Sequence, residues 1–189
     1  MTLRTLLSSV VLASTVLAPA AFAQQKLVPA QSSVGFTIKQ MGVPLQGQFK
    51  QFDAQVQFDT AKPEASRIQF TVATGSATMG SKETDAELPK PTWFNAASFP
   101  QARFDSTAVK ALGAGKYQVD GKLSIKGQSQ NVSVPVTLTQ SGATTIASGT
   151  LPIKRLAFKI GEGDWTDTSM VADDVQVNFK LALTGVGKL

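Results

Sequence analysis

Cysteine and histidine are absent from this 189-residue chain, and tyrosine occurs once, at Tyr117. Without cysteine the fold cannot rest on disulfides, no thiol serves as nucleophile, and a lipid anchor on a cysteine is excluded. Without histidine the commonest general base and metal ligand is missing, and no Ser–base motif stands in for it, which argues against an enzyme. One tyrosine cannot furnish the aromatic girdles of a lipid-facing outer-membrane barrel. Charge is sparse, at 16% of residues with a formal net of +5. The basic residues are scattered from Lys26 through Lys110, Lys116, Lys122 and Lys126 to Lys188. They read as solvated outer faces and not as a nucleic-acid stripe, although the excess leaves room for a weak, transient attraction to an anionic membrane surface.

The first segment has a different character. Arg4 precedes an apolar run from Leu6 to Leu17, and Ala21-Phe22-Ala23 supplies a small-x-small end. This pattern predicts a secretory signal peptide over residues 1–23, cleaved after Ala23, and so a periplasmic protein. Ser8, Ser9, Ser14, Thr15 and Pro19 break the run, and no basic stop-transfer flank follows, so a membrane anchor is the weaker reading. Residues 24–189 then form one domain, long enough to bury a sizeable core or enclose a ligand.

Period-two patterning dominates that domain. Val34, Phe36 and Ile38 alternate with small or polar residues, as do Leu45, Gly47 and Phe49, then Ile68, Phe70 and Val72. Beyond residue 104 the pattern resumes in Val119, Gly121, Leu123 and Ile125, in Val132 to Leu138, more weakly in Ile146 to Ile153, and in Val175 to Leu183. Turns are expected at Gly113-Ala114-Gly115, Gly127 to Gln130 and Ser141-Gly142. This predicts an all-β fold: a single antiparallel barrel of about eight strands, because closure removes edges that would otherwise aggregate.

One stretch, Thr78 to Ser106, interrupts the strands. Gly80, Pro89, Pro91 and Pro100 forbid a long helix or strand, while Leu88, Trp93, Phe94, Phe99 and Phe104 demand burial. Thr84 to Glu87 has capping-box spacing and Pro91 suits a helix start. Two one-turn helices within residues 81–95 are therefore expected to hold Trp93 and Phe94 against the core. Asp85 is read as a first-turn residue stabilised by helix N–H groups, or as a partner of Arg155 or Arg103.

The order of Asp85, Leu88, Trp93-Phe94, Phe99-Pro100 and Phe104 resembles the signature of the YceI-like, polyisoprenoid-binding family. Ser33 to Phe36 with Gly42-Val43, Gly47-Gln48-Phe49, Leu123 to Gly127, and Arg155 followed by Phe158 to Trp165 extend the likeness over nearly the whole domain. Relatives commonly carry histidine near the first strand and in the plug, the stretch from Thr78 to Ser106, and often Asp where this chain has Ala157. The resemblance implies a lipocalin-like barrel whose interior holds one long isoprenoid lipid, such as an isoprenoid quinone or a polyprenyl phosphate. No other cofactor is implied. It also implies, as alternatives, action on a prenyl lipid or an accessory role beside a cytochrome b561-type membrane redox protein.

Periodicity alone does not separate a filled core from a lined cavity at Phe36, Ile38, Phe49, Phe70, Val72, Phe104, Leu123 and Phe179. The resemblance favours the cavity. Trp93, Phe94 and Trp165 lie in connections, where aromatics cork a barrel end or form a pocket mouth. With Phe158 from the Arg155 motif, these are the candidate ligand-binding residues. The lipid head is expected near the mouth, met by Lys, Arg or plug backbone groups. Glu162, Asp164 and Asp167 around Trp165 lack the ladder of a calcium loop, and Asp173-Asp174 reads as a solvated turn. Terminal sequencing of the exported protein should give Gln24 as its first residue; an intact Met1 in envelope protein would remove the periplasmic assignment.

Overall fold

Alternation forces strands because only a period of two puts every large apolar side chain on one face. The computed structural model describes residues 25–189; the expected export leader and its cleavage site lie outside them. The described residues form eleven strands: β1 (Lys26–Leu27), β2 (Ser33–Gln40), β3 (Val43–Phe49), β4 (Phe52–Gln57), β5 (Arg67–Ala73), β6 (Ala77–Thr78), β7 (Gln101–Gly113), β8 (Lys116–Ile125), β9 (Gln128–Ser141), β10 (Thr144–Lys154) and β11 (Val171–Thr184). They make one sheet in the order β4-β5-β7-β8-β9-β10-β11-β2-β3-β6, with β1 added to β11. Among the described residues the one α-helix is α1 (Lys82–Glu87).

Eleven segments against about eight expected is largely the result of two breaks. β3 and β4 are one path interrupted at Lys50-Gln51, and β5 and β6 are one path interrupted by a 3-10 turn at Thr74–Ser76. Lys50 N donates to Ser76 O at 3.1 Å and Ala73 N to Gln51 O at 2.9 Å, which holds the two bent paths side by side. Counted as single bent strands, and with the two-residue β1 set aside, they leave eight around the wall. The ladder is nevertheless incomplete. β6 reaches only Gln48 and Phe49 of β3, and the outer side of β4 has no strand partner among the described residues. The Gln25 side chain substitutes at one point, donating to Phe58 O at 2.6 Å and accepting from Phe58 N at 2.8 Å. The sheet thus curls into a half-barrel, hydrogen-bonded all round over only part of its height.

Local chemistry sets several boundaries one or two residues from those expected. The β8–β9 turn is Lys126-Gly127, with Lys126 at φ 47°, and the β9–β10 turn is Gly142-Ala143. Pro135 and Pro152 are tolerated because the β9–β10 pairing stops at Ser148–Thr137, leaving each proline with a free strand side. Asp173 and Asp174 belong to β11 and not to a turn; Asp173 accepts from Leu156 N at 2.9 Å.

The interruption between β6 and β7 contains one helix where two were expected. Ser81 is the N-cap, its side chain accepting from Thr84 N, and Pro89, unable to donate, stops α1 just after Leu88. From there to Ser98 the chain makes only hydrogen-bonded turns, among them Phe94 N to Leu88 O at 3.0 Å. Asp85 lies in the first turn of α1 as expected, but it bonds outside the helix and pairs with neither Arg155 nor Arg103. Its carboxylate accepts from Thr78 Oγ1 at 2.5 Å and Met79 N at 2.7 Å, which straps α1 to the end of β6. These bonds hold its pKa below the ordinary 3.8.

Two buried cations tie the connections together, Arg155 within the β10–β11 connection and Lys126 between it and the plug. Arg155 is 1% exposed, and its five N–H groups meet five main-chain carbonyls: Ala172, Ile160, Gly161, Trp165 and Val171, at 2.5 to 3.1 Å. Burial pulls its pKa down, against the opposing charge of Asp173. Lys126 donates to Pro91 O, Lys159 O and Glu162 Oε2 at 2.6, 2.7 and 2.8 Å. Gly161 N and Glu162 N both donate to Thr92 O, at 2.8 and 2.9 Å. Arg155→Met removes every donor from five buried carbonyls, and unmet buried groups are costly. The expected loss is roughly 3–5 kcal/mol in urea unfolding; a loss below ~1 kcal/mol would show that the carbonyls find other partners.

Candidate functional site

Inward-facing apolar side chains of a packed core are fully buried, but many in this chain are not. Phe49, Phe70, Phe104, Leu123, Val177, Phe179 and Leu181 point inward yet stay half-buried, because they face open space. That space is a cavity of ≈ 490 Å³ whose walls come from β2 to β5, β7 to β11 and the plug. Its lining is almost entirely hydrocarbon.

The wall stays thin because rings occupy the places of absent side chains. Phe36 of β2 stands opposite Gly47 of β3, and Phe179 of β11 opposite Gly149 of β10. A Cβ on Gly47 would lie 2.2 Å from the Phe36 ring, and one on Gly149 would lie 2.6 Å from the Phe179 ring and 2.3 Å from Pro135 O. Phe104 uses Gly121 of β8 in the same way, one pair along the diagonal, at 2.4 Å. Each ring therefore lies across the neighbouring strand instead of standing into the lumen.

The two ends of the cavity differ. At the plug end Trp93 and Trp165 pack with centroids 5.4 Å apart and planes at 50°, and Phe94 meets Phe49 edge-on at 5.8 Å. The indole N–H of Trp93 is buried without a hydrogen-bond partner, alone in this among side-chain polar atoms of the described residues. At the far end Phe58 and Tyr117 form an edge-to-face pair at 5.1 Å. Polar side chains reach the lining chiefly at Gln40, Glu83, Thr84, Glu87, Arg103 and Arg155. The exposed Arg103 grips Asp105 through Nε and Nη2 at 2.7 to 3.0 Å, which raises its pKa. A bond from the Ser81 hydroxyl keeps Glu83 below the usual carboxylate range.

Eleven of the twelve candidate residues are brought together here. Phe36 and Ile38 come from β2, Phe49 from β3, Phe70 and Val72 from β5, Phe104 from β7, Leu123 from β8 and Phe179 from β11, with Trp93, Phe94 and Trp165 from the connections. Phe158 is the correction. It lies outside the cavity lining, 2% exposed, in the packed cluster with Leu88 and Ile160. The turn that aims Arg155 at its carbonyls carries Phe158 behind the wall. Sequence reasoning missed Met79 at the plug and Phe58 and Tyr117 at the far end as cavity residues. The glycines within strands were the available signal for the hollow, legible only once register paired them with phenylalanines.

Comparison with known proteins gives a consistent picture. The profile of the YceI-like domain matches residues 25–183. The crystal structure of BcnA from Burkholderia cenocepacia superposes with a TM-score of 0.81 at 46% identity, covering 83% of this chain and 99% of BcnA. A polyisoprenoid binding domain from Saccharophagus degradans, implicated in plant cell wall breakdown, superposes at 0.68 over 85% of this chain and 98% of its own. At 16% identity that likeness is one of fold alone. A UPF0312 protein of Azotobacter vinelandii is 35% identical over 102 residues, so the chain spans about half of that relative, 53% of each.

If ring and glycine are complementary, Gly47→Ala should drive the Phe36 ring into the lumen and cost about 1–3 kcal/mol. Adding Phe36→Leu should recover part of that loss. A double-mutant cycle in urea is expected to give a coupling above ~0.5 kcal/mol; strict additivity would show that the two residues do not compete for one space.

Proposed function

We propose a function from one premise: the chain belongs to the YceI-like domain family. On this reading it is a periplasmic binding protein that carries or shelters an amphiphile with a long polyisoprenoid tail, the tail lying in the apolar cavity. The observation that carries the proposal is the hollow, hydrocarbon-lined interior in which large inward rings remain half-buried. A cavity of this kind favours an apolar occupant, since burying apolar surface is favourable and an unpaired polar group inside it is costly. The polyisoprenoid binding of the Saccharophagus degradans domain supports the tail's chemistry by analogy of fold.

Binding is preferred to catalysis because the carboxylates of the lining, Glu83 and Glu87, belong to the rim helix α1, where Glu83 accepts from Ser81 and Glu87 pairs with Lys90. Exchange with a membrane surface follows from a neighbouring feature. Of five exposed large apolar side chains among the described residues, three sit together: Met41, Val43 and Met170. Met41 N donates to Met170 O at 2.8 Å, and Gln40, which lines the cavity, pairs with both Val43 and Val171. This apolar corner is continuous with the cavity rim and suits shallow contact with a bilayer.

Extraction of a graded prenyl series from anionic vesicles tests both parts. Each isoprene unit drawn from water is worth ~0.8 kcal/mol per CH₂ before ordering costs, so affinity should climb with tail length and then level off when the cavity is full. Met41→Asp with Met170→Asp should slow extraction without moving the plateau. Length-independent binding would mean that the cavity does not hold the tail, and an unchanged rate in the double variant would remove the bilayer contact.

A further inference from the structure

The apolar corner that the proposed function sets against a bilayer is built around sulfur. The chain has no cysteine and four methionines, so two-electron oxidation of sulfur falls on methionine alone. Met1 lies outside the described residues, and the other three divide sharply. Met41 and Met170 are 75% and 44% exposed. Met79 is half-buried, packed against two core clusters and lining the cavity.

The two exposed methionines are joined through the backbone. Met41 N donates to Met170 O at 2.8 Å, and Met170 N donates to Asp167 O at 3.2 Å. Met41 opens the tight β2–β3 turn at φ 48°, followed by Gly42 at φ 80°. Neither side chain packs in the apolar clusters of the described residues. A change at their thioethers therefore leaves these hydrogen bonds and the core untouched, but it alters the surface. A methionine side chain is flexible and apolar, whereas its sulfoxide is polar and favours water. Gln40, paired with Val43 and Val171, carries the corner to the cavity lining, so the altered surface lies at the rim.

We propose that Met41 and Met170 form an oxidation-sensitive site: a hydroperoxide converts both thioethers to sulfoxides, and the polar corner then leaves the bilayer while fold and cavity persist. A lone pair on sulfur attacks the terminal oxygen of the hydroperoxide, the O–O bond breaks, and the hydroxyl proton passes to the departing oxygen. Sulfur is oxidised by two electrons and the hydroperoxide is reduced to an alcohol, or to water when it is hydrogen peroxide. Sulfoxides are reducible, so the contact is recoverable. Met79 responds differently, since the plug shields it and a lipid in the cavity covers it further. The inference rests on the bilayer contact read above, and it makes the exchange of lipid, and not its retention, the step that oxidation stops.

The test treats the protein with graded hydrogen peroxide, and peptide mass spectrometry reads the oxygen added at each methionine. Extraction of a fluorescent prenyl alcohol from anionic vesicles gives the rate of exchange, and circular dichroism follows the fold. Met41 and Met170 should be oxidised before Met79, and extraction should slow by about tenfold, the consequence of drawing two newly polar side chains out of water. The circular dichroism should not change. The two methionine sulfoxide reductases, one for each sulfoxide epimer, should restore the rate. Met41→Leu with Met170→Leu removes both sulfurs and keeps the corner apolar, so peroxide should leave this variant at its own untreated rate. Oxidation of Met79 ahead of the corner, or an equal slowing of the leucine variant, overturns the proposal. So does an unchanged rate in fully oxidised protein when Met41→Asp with Met170→Asp slows extraction, an outcome that leaves the bilayer contact standing. An unchanged rate in both would remove the bilayer contact itself, and the proposal with it.

Discussion

A phenyl ring laid across a glycine of the next strand is the contact on which the interior depends. About eight strands rolled together leave a lumen that side chains ordinarily fill, and interiors close-pack wherever they can. Phe36, Phe104 and Phe179 are large enough to do so. Each instead lies over a position without a Cβ, at Gly47, Gly121 and Gly149. The ring then shields the bare backbone of the neighbouring strand, a known way to stabilise glycine within a sheet, and the volume it would have taken stays open.

Polar groups are handled by the same economy of space. The guanidinium of Arg155 borders the cavity, yet its hydrogen bonds run into the backbone behind it, to the carbonyls of 160, 161, 165, 171 and 172. Lys126 does the same from the β8–β9 turn toward the carbonyls of Pro91 and Lys159. Charge thereby joins three connections distant in sequence while leaving the lumen apolar. Breaking such a fully bonded buried cation is costly even where a hydrophobic replacement of the whole cluster would not be.

Much of this was legible in the sequence, for identifiable reasons. A period of two is a strong signal over strands as long as β9 and β11, so their inward residues followed directly, and the aromatic plug announced itself by demanding burial among prolines. What was hidden depends on register or on long-range packing. The breaks at Lys50-Gln51 and Thr74–Ser76 each shift the phase of the alternation by one, from Phe49 to Val56 and from Val72 to Met79 among the lining residues, a trace that a segment-by-segment reading does not register. Ser81 and Thr84 are both good caps, and only the position of Pro89 relative to Asp85 and its strap to Thr78 selects between them. Phe158 carries the same motif as Trp165, but a 3-10 turn followed by Lys159 in the left-handed region (φ 55°) swings it out of the lumen. Nothing local distinguishes Arg155 and Lys126 from the solvated cations around them, because their burial is decided by carbonyls that other segments bring.

The incomplete ladder gives the wall the mechanics of a slit tube. A closed ring resists widening along its whole circumference, whereas a tube cut over part of its length yields at the cut and stays stiff where it is whole. In this chain the stiff part is the pairing of β3 with β6 and of β4 with β5, and the cuts lie beside Val43 to Gly47 and along the outer side of β4. Widening at those places separates side chains without breaking a strand-to-strand hydrogen bond. Widening there would cost side-chain contacts alone and would leave the strand register as it is.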